Sequence, residues 1–326
     1  MFAKTLTAAA ALLLATPFAM AEELKLADFQ PPTHFVVDNV YTPFAEAVAA
    51  GTNNEVTVKL YMGGELGPGP ADQYSRVVDV LADIAFGLPG YTASTFPKTL
   101  LTELPGVIEA QTGTEKIVAN TDKLADEYKR VVLLGLWNNA PNVLLMAKKP
   151  MHTLADLKGM KIRVPSRNAG LVVEAWGGSP VSMPAPEIYN AMQTGVLDGA
   201  MIDATALTAF KLGEVTQSVT TGMETSISDF FLIMNRDSFN DLSEDQQKVL
   251  QDAGKQAAIN GSAAWNGVAD KTLAEFGATD GKEVITLTPE EAATFNAASK
   301  PVVEKVIAEA DAAGLDASAF VAALKE

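Results

Sequence analysis

Residues 159–203, GMKIRVPSRNAGLVVEAWGGSPVSMPAPEIYNAMQTGVLDGAMID, constrain the fold more than any other stretch of the chain. They begin with a short apolar strand at 160–164 that carries a single arginine, Arg163, and Pro165 stops it. A helix-like segment runs to the break at Gly177 and Gly178. A second helix, led by Pro184 and Pro186, closes at Gly195, and another strand covers 196–202. Strands alternating with helices in this way belong to α/β architectures. A lone arginine on an apolar strand is either half of a structural ion pair or the holder of an anion, and a guanidinium fork suits a carboxylate.

The same alternation runs through the chain. Strands are expected at 23–29, 55–61, 84–86, 130–136, 142–147, 224–235 and 284–287, from apolar runs bounded by Gly, Pro and Asn. The run at 130–136 is nearly continuous in apolar residues, as in a parallel sheet covered on both faces. Helices are expected at 36–50, with a kink at Pro43, and at 72–81 and 114–130. Thr153 and Asp156 have capping-box form ahead of a single turn, and 204–215 is a mostly helical connector. Ser243 with Gln246 caps a helix reaching about residue 276, some 48 Å at 1.5 Å per residue, long enough to lie across two domains. Gly254, Gly261 and Gly267 loosen it, and two helices broken at Gly261 are the alternative. Thr288–Pro–Glu–Glu291 caps a further helix, the first of two that end the chain. Residues 74–85 and 189–200 echo each other weakly, with Tyr, Asp and Ala aligned, as two equivalent βαβ units would.

The N-terminus reads as a secretory signal peptide over residues 1–21: Lys4, an apolar run, then Ala19–Met20–Ala21 as a small-x-small cleavage site. A membrane anchor is the alternative, but the run is short and broken by Pro17. No later run of about 18 apolar residues occurs, so the mature protein is expected not to be embedded in a membrane. The absence of cysteine excludes disulfides, thiolate metal sites, cysteine nucleophiles and a lipidated cysteine, which points to an unanchored protein of the periplasm. With 24 basic and 40 acidic residues and a net charge of −16, nucleic acid is excluded as a partner on electrostatic grounds. An anion site on such a chain needs a local cation shielded from the general field.

The segments 156–165, 178–183 and 187–199, with LYMGGELG at 60–67, Asp83–Ile84–Ala85, Phe96–Pro97 and Glu103–Leu104–Pro105, closely resemble the signature of TRAP transporter periplasmic solute-binding proteins (DctP-like). The resemblance covers nearly the whole mature chain, in order. It implies two α/β domains of non-contiguous segments, an N-terminal lobe at 22–140 plus 229–268 and an Arg163 lobe at 141–228 plus 269–326, with a long helix spanning both. It further implies that a ligand is trapped between the lobes by hinge closure and delivered to the membrane subunits of a TRAP permease, that Arg163 pairs with the substrate carboxylate, and that the protein is a monomer. The chain departs from sugar-acid receptors of this family in having no second cleft cation around Pro141–Asn142–Val143, an apolar Ala200–Met201–Ile202, and Ala185 where an aromatic residue stands in some members.

Around Arg163, candidate ligand contacts are His34, Phe86, Tyr91, Trp137, Asn139, Ser166, Arg167, Met201, Asp203 and Phe230. Ser166 and Arg167 open a helix, where free N–H groups favour an anion, though Ser166 is equally a plain cap. The aromatic residues follow strand ends or lie on exit loops, with core packing as the competing role. An ionised Asp203 would repel a carboxylate and fits a hydroxyl or an ammonium better. His34 and His152 are too far apart in the chain to suggest a metal site, and no cofactor motif occurs. There is no GxSxG, no HExxH and no histidine-based triad, so an enzyme is not expected. The expected function is that of a receptor for a small organic monocarboxylate, aromatic or branched; a receptor of an ABC importer or a chemoreceptor of the same fold is the alternative.

Overall fold

The computed structural model describes residues 21–326, so all but the last residue of the segment read as a signal peptide lies outside the described residues. The chain opens with β1 (Glu22–Ala27), α1 (Thr42–Gly51), β2 (Val56–Tyr61), α2 (Gln73–Val78), β3 (Ile84–Gly87), α3 (Gly113–Ala119) and β4 (Val131–Asn138). The helix expected from residue 36 runs on through a π turn at Val37–Tyr41 into α1, and Pro43 stands just after that turn, where the local irregularity accommodates its missing N–H. The charged run 114–130 is helical only over α3 and a 3-10 turn at Thr121–Leu124.

The middle of the chain gives β5 (Asn142–Met146), α4 (Leu154–Leu157), β6 (Lys161–Val164), α5 (Arg167–Ala175), β7 (Ser179–Ser182), α6 (Ile188–Gln193), β8 (Gly199–Asp203), α7 (Ala206–Ala209), α8 (Leu212–Val215) and β9 (Ser218–Thr221). The strands β7 (SPVS) and β9 (SVTT) lack an apolar run, so they are not read from sequence. The chain ends with β10 (Asp229–Asn235), α9 (Arg236–Asn240), α10 (Glu244–Gly277), β11 (Glu283–Thr286), α11 (Pro289–Ala312) and α12 (Ala317–Lys325).

Two sheets result, β2-β1-β3-β10-β4 and β11-β9-β5-β8-β6-β7. Within each, three strands are parallel and pair in the same order: β2-β1-β3 in the first and β7-β6-β8 in the second. The sequence echo has a structural counterpart. Asp83 accepts from the N–H of Lys25 on β1 at 2.8 Å, and Asp198 accepts from the N–H of Lys161 on β6 at 2.8 Å. Each sheet then takes one antiparallel strand that begins just after the chain crosses between the lobes, β10 in the first and β5 in the second. The apolar run at β4 is therefore not a parallel strand: β4 is the edge of the first sheet, antiparallel to β10, and it is apolar because α3 and α10 cover its two faces.

Helix α10 is continuous through Gly261. Its residues Leu250 to Trp265 enter the core of the first lobe, while Ala269 and Phe276 enter that of the second. Gly254 and Gly261 serve close packing. A Cβ on Gly261 would stand 2.6 Å from Nε1 of Trp137, and one on Gly254 would overlap the carbonyl of Leu134. The C-terminus departs from the expected division. The early part of α11 packs Phe295 edge-on to Trp176 in the second lobe, at 5.4 Å between centroids. Val306 and the α12 residues Phe320 and Leu324 lie in the core of the first lobe, not the second, because α12 closes over the helical face that carries α3.

Candidate functional site

The carboxyl ends of the parallel strands from both sheets meet in one cavity, where open α/β sheets place ligands. Its cavity volume is about 40 Å³. The first lobe contributes Phe29, Gln30 and His34 from the exit of β1, and Leu88 and Tyr91 from the exit of β3. Phe230 of β10 and Trp265 of α10 wall it, their rings 4.6 Å apart. The second lobe adds Arg163 from β6, Ala185, and Ile202 and Asp203 from the end of β8.

Arg163 is 1% exposed. Its Nε donates to the carbonyl of Met183 at 2.9 Å, Nη1 to the carbonyl of Met201 at 3.2 Å, and Nη2 to the hydroxyl of Tyr91 at 3.2 Å. Among the described residues no carboxylate lies within ion-pairing distance of it. Burial lowers its pKa, opposed by Tyr91 and by the more distant charges of Asp203 and Glu187. A buried guanidinium held by neutral acceptors and lacking a counter-ion is the arrangement that an anionic guest would complete.

The polar groups around it are ordered. Asp203 accepts from Nδ2 of Asn139 at 2.9 Å and from the N–H and hydroxyl of Thr205. Burial raises its pKa, and these donors hold it down. Asn139 also accepts from the N–H of Ser228 at 2.8 Å, tying together the two chain crossings between the lobes. His34 accepts from the N–H of Val36 through Nδ1 at 3.2 Å, so the ring carries its proton on Nε2. Burial pushes its pKa down to about 3, which keeps it neutral.

The cavity thus brings together Arg163, His34, Tyr91, Asn139, Asp203 and Phe230. The remaining candidates lie elsewhere. Phe86 and Trp137 are fully buried in the first core, Phe86 packing behind Phe230 at 5.2 Å between centroids. Met201 keeps its side chain in the second lobe's core and offers Arg163 only its carbonyl. Ser166 is the N-cap of α5, accepting from Ala169 at 3.2 Å and donating to Glu103 at 2.6 Å. Arg167, with its side chain 67% exposed, points to Glu309 at 4.0 Å, because the first residue of α5 turns outward. Sequence reasoning missed Phe29 and Gln30, which share an exit loop with His34 and could have been found by the same logic. It also missed Phe210 and Trp265, which local pattern does not mark.

Several further bonds join the lobes. Ala185 donates its N–H to the Tyr91 hydroxyl at 2.9 Å, and Asn168 donates to the carbonyl of Leu100 at 3.0 Å. With Ser166–Glu103 they hold the lobes together over the cavity.

The family described as bacterial extracellular solute-binding protein, family 7 (DctP), matches residues 26–310. A solute-binding protein of Albidiferax ferrireducens is 29% identical over 225 residues, 67% of this chain and 66%, just under two thirds, of that protein. A marine metagenome TRAP solute-binding protein, described as specific for aromatic acid ligands and solved with metahydroxyphenylacetate, is 28% identical. It superposes with a TM-score of 0.87 over 93% of this chain and 97% of that one. A TRAP periplasmic solute-binding protein of Bordetella bronchiseptica with bound (R)- and (S)-mandelate is 29% identical, with a TM-score of 0.84 over 93% and 97% of the two chains.

Proposed function

The chain belongs to family 7 of the bacterial extracellular solute-binding proteins, and from that membership we propose that it is the periplasmic receptor of a TRAP-type permease, closing on a small aromatic monocarboxylate. The observation that carries the ligand class is Arg163: one buried guanidinium with no acidic partner among the described residues, facing a cavity walled by Phe29, Phe230 and Trp265. The guanidinium takes the carboxylate through charge-assisted bonds, each contributing about 1.5–3 kcal/mol. The rings take an apolar body. The solved relatives that hold aromatic acids and mandelate support this choice of body. The family match favours a TRAP permease over an ABC importer as the membrane partner. Relatives and structural neighbours are binding proteins, in keeping with a role in capture and not turnover. Among the described residues no helix is long and apolar enough to cross a membrane.

Capture works by hinge motion. The lobes, 22–140 with 229–268 and 141–228 with the chain after 269, rotate about the crossings near Asn139, Ser228 and the middle of α10, with α11 and α12 strapping the second lobe back to the first. Opening breaks the Tyr91, Ser166 and Asn168 bridges, and the ligand repays their re-formation. A thermal-shift screen of carboxylic acids, followed by titration calorimetry, tests the proposal, because a ligand that binds only the native state raises its stability. Aromatic monocarboxylates are expected to raise the melting temperature in a dose-dependent way. A screen in which only acids lacking an apolar body bind, or in which none do, would overturn the ligand class.

A further inference from the structure

We propose that His34 and Gln30 form a second polar station in the cavity that selects a hydroxyl group on the ligand body, which makes the ligand class the hydroxylated aryl and arylalkyl monocarboxylates. The inference rests on the carboxylate reading of Arg163 and narrows it.

Most polar groups of the cavity are already satisfied. The carboxylate of Asp203 is taken by Asn139 and Thr205, and the carboxamide of Asn139 by Asp203, Asn142 and Ser228. Two groups stand apart. The side-chain carboxamide of Gln30 makes no hydrogen bond among the described residues, and its Oε1 is fully buried without a partner. Its backbone is fixed nonetheless, by a bond from its N–H to Asp28 at 2.9 Å and one from Gly63 to its carbonyl at 2.8 Å. The imidazole of His34, four residues on, is held through Nδ1, stacks on Phe35 at 4.4 Å and leans on Trp265 at 5.6 Å. Its Nε2–H also has no partner among the described residues.

A buried polar group left unpaired costs about 1–3 kcal/mol, as the Gln30 oxygen is here, and the open Nε2–H of His34 lines the same cavity, so the loop calls for a guest that pairs both. Nε2–H can only donate, and the Gln30 oxygen can only accept. A hydroxyl does both halves at once, accepting from His34 and donating to Gln30. A second carboxylate could accept from His34, but its charge would face the carboxamide oxygen with no cation to hold it. An ammonium could donate to Gln30 but would meet the imidazole N–H as like against like. An ether or a halogen could satisfy only His34. The neutral state of His34 at physiological pH removes any charge that would favour an anion at this end. Both residues come from the first lobe and Arg163 from the second, so a ligand bridging the two stations would draw the lobes together.

Titration calorimetry with matched pairs tests this: benzoate against its ortho, meta and para hydroxy derivatives, and phenylacetate against its own. At least one hydroxylated acid is expected to bind about tenfold or more tighter than its parent, the usual scale for a site built to pair a hydroxyl. Gln30→Met, which keeps side-chain volume and touches no backbone bond, should reduce that preference, read as the ratio of the two affinities within the variant, to within about threefold. His34→Phe should do the same, and Arg163→Ala should weaken both members of a pair alike. Equal binding of every hydroxylated acid and its parent by the wild-type protein, or a preference that survives in both the Gln30 and His34 variants, would overturn the hydroxyl station while leaving the carboxylate receptor intact. If no acid of the set bound the wild-type protein, both readings would fall.

Discussion

The hydroxyl of Tyr91, on the first lobe, accepts from Nη2 of Arg163 at 3.2 Å and from the N–H of Ala185 at 2.9 Å, both on the second. Having accepted twice, it keeps its own proton to offer a carboxylate lying against Arg163. The bond therefore joins ligand recognition to closure. Tyr91→Phe removes one ligand donor and one bridge between lobes, leaving the apolar ring in place. Ligand affinity should fall about 5- to 20-fold, equivalent to about 1–2 kcal/mol. Calorimetry reads the loss, and small-angle scattering should show a smaller ligand-induced compaction. Unchanged affinity would mean that the hydroxyl only supports Arg163.

Arg163 itself should matter more. Arg163→Ala should weaken a bound carboxylate by about 30- to 1,000-fold, or about 2–4 kcal/mol. Arg163→Lys keeps the charge but loses the planar fork and the three-point anchorage on Met183, Met201 and Tyr91, so it should fall between the wild type and the alanine variant. Equal affinity of the alanine variant and the wild type, by calorimetry, would remove Arg163 from the site.

Arg163 was legible in the sequence because a charge on an apolar strand conflicts with its surroundings, and such conflicts concentrate at functional sites. The α/β class and the two-lobed plan were legible for a different reason: alternation and capping are local signals, and Ser243, Thr153 and Thr288 all cap as their spacing implied. The cavity walls were not. Phe86 and Trp137 sit on strands, where one step of register sends a side chain to the opposite face, and the face is set by the sheet and not by the residue. Trp265 reaches the cavity only because α10 crosses between the lobes at that turn. Arg167 and Ser166 differ by one position at the start of α5, yet one points to solvent and the other to Glu103.

That Glu103 carboxyl is buried together with Asp229, and burial pushes the pKa of each up to about 8. Ser166 donates to Glu103, Thr102 donates to Asp229, and the Asp229 charge adds to the rise at Glu103. Since the folded-state values lie above the ordinary carboxylate range, the native protein binds more protons than the unfolded chain between about pH 4.5 and pH 8. The stabilisation is complete below the unfolded pKa and is lost as pH rises through about 8. Denaturant unfolding should therefore show stability falling between about pH 5 and pH 9, by on the order of a few kcal/mol. Glu103→Gln, which still accepts from Ser166, should flatten part of this slope and exceed the wild type in stability at the alkaline end. A slope unchanged in the variant would show that Glu103 does not titrate in this range.

The glycines of α10 make opposite predictions from one residue type. Alanine is the better helix former by about 1 kcal/mol, so propensity alone would have every Gly→Ala change in this helix stabilise the protein. Gly267 has nothing within 4 Å of the space its Cβ would occupy, and Gly267→Ala should gain stability, by up to about 1 kcal/mol. Gly254 lies against β4, where an added Cβ would overlap the Leu134 carbonyl; from the other side, a Cβ on Gly135 would stand 2.7 Å from the carbonyl of Gly254. Backbone cannot swing aside as a flexible side chain can, so Gly254→Ala should push the long helix off the sheet and lose about 1–3 kcal/mol in spite of its better propensity. Gly261→Ala should lose a similar amount by displacing Trp137, whose ring packs at 6.1 Å from Phe230 at the cavity wall, and so should weaken ligand binding as well as stability. Thermal or denaturant unfolding of the three variants separates the effects. A stabilised Gly254→Ala protein would show that the helix has room above β4, and would return the glycines to the looser role their positions in the sequence suggest.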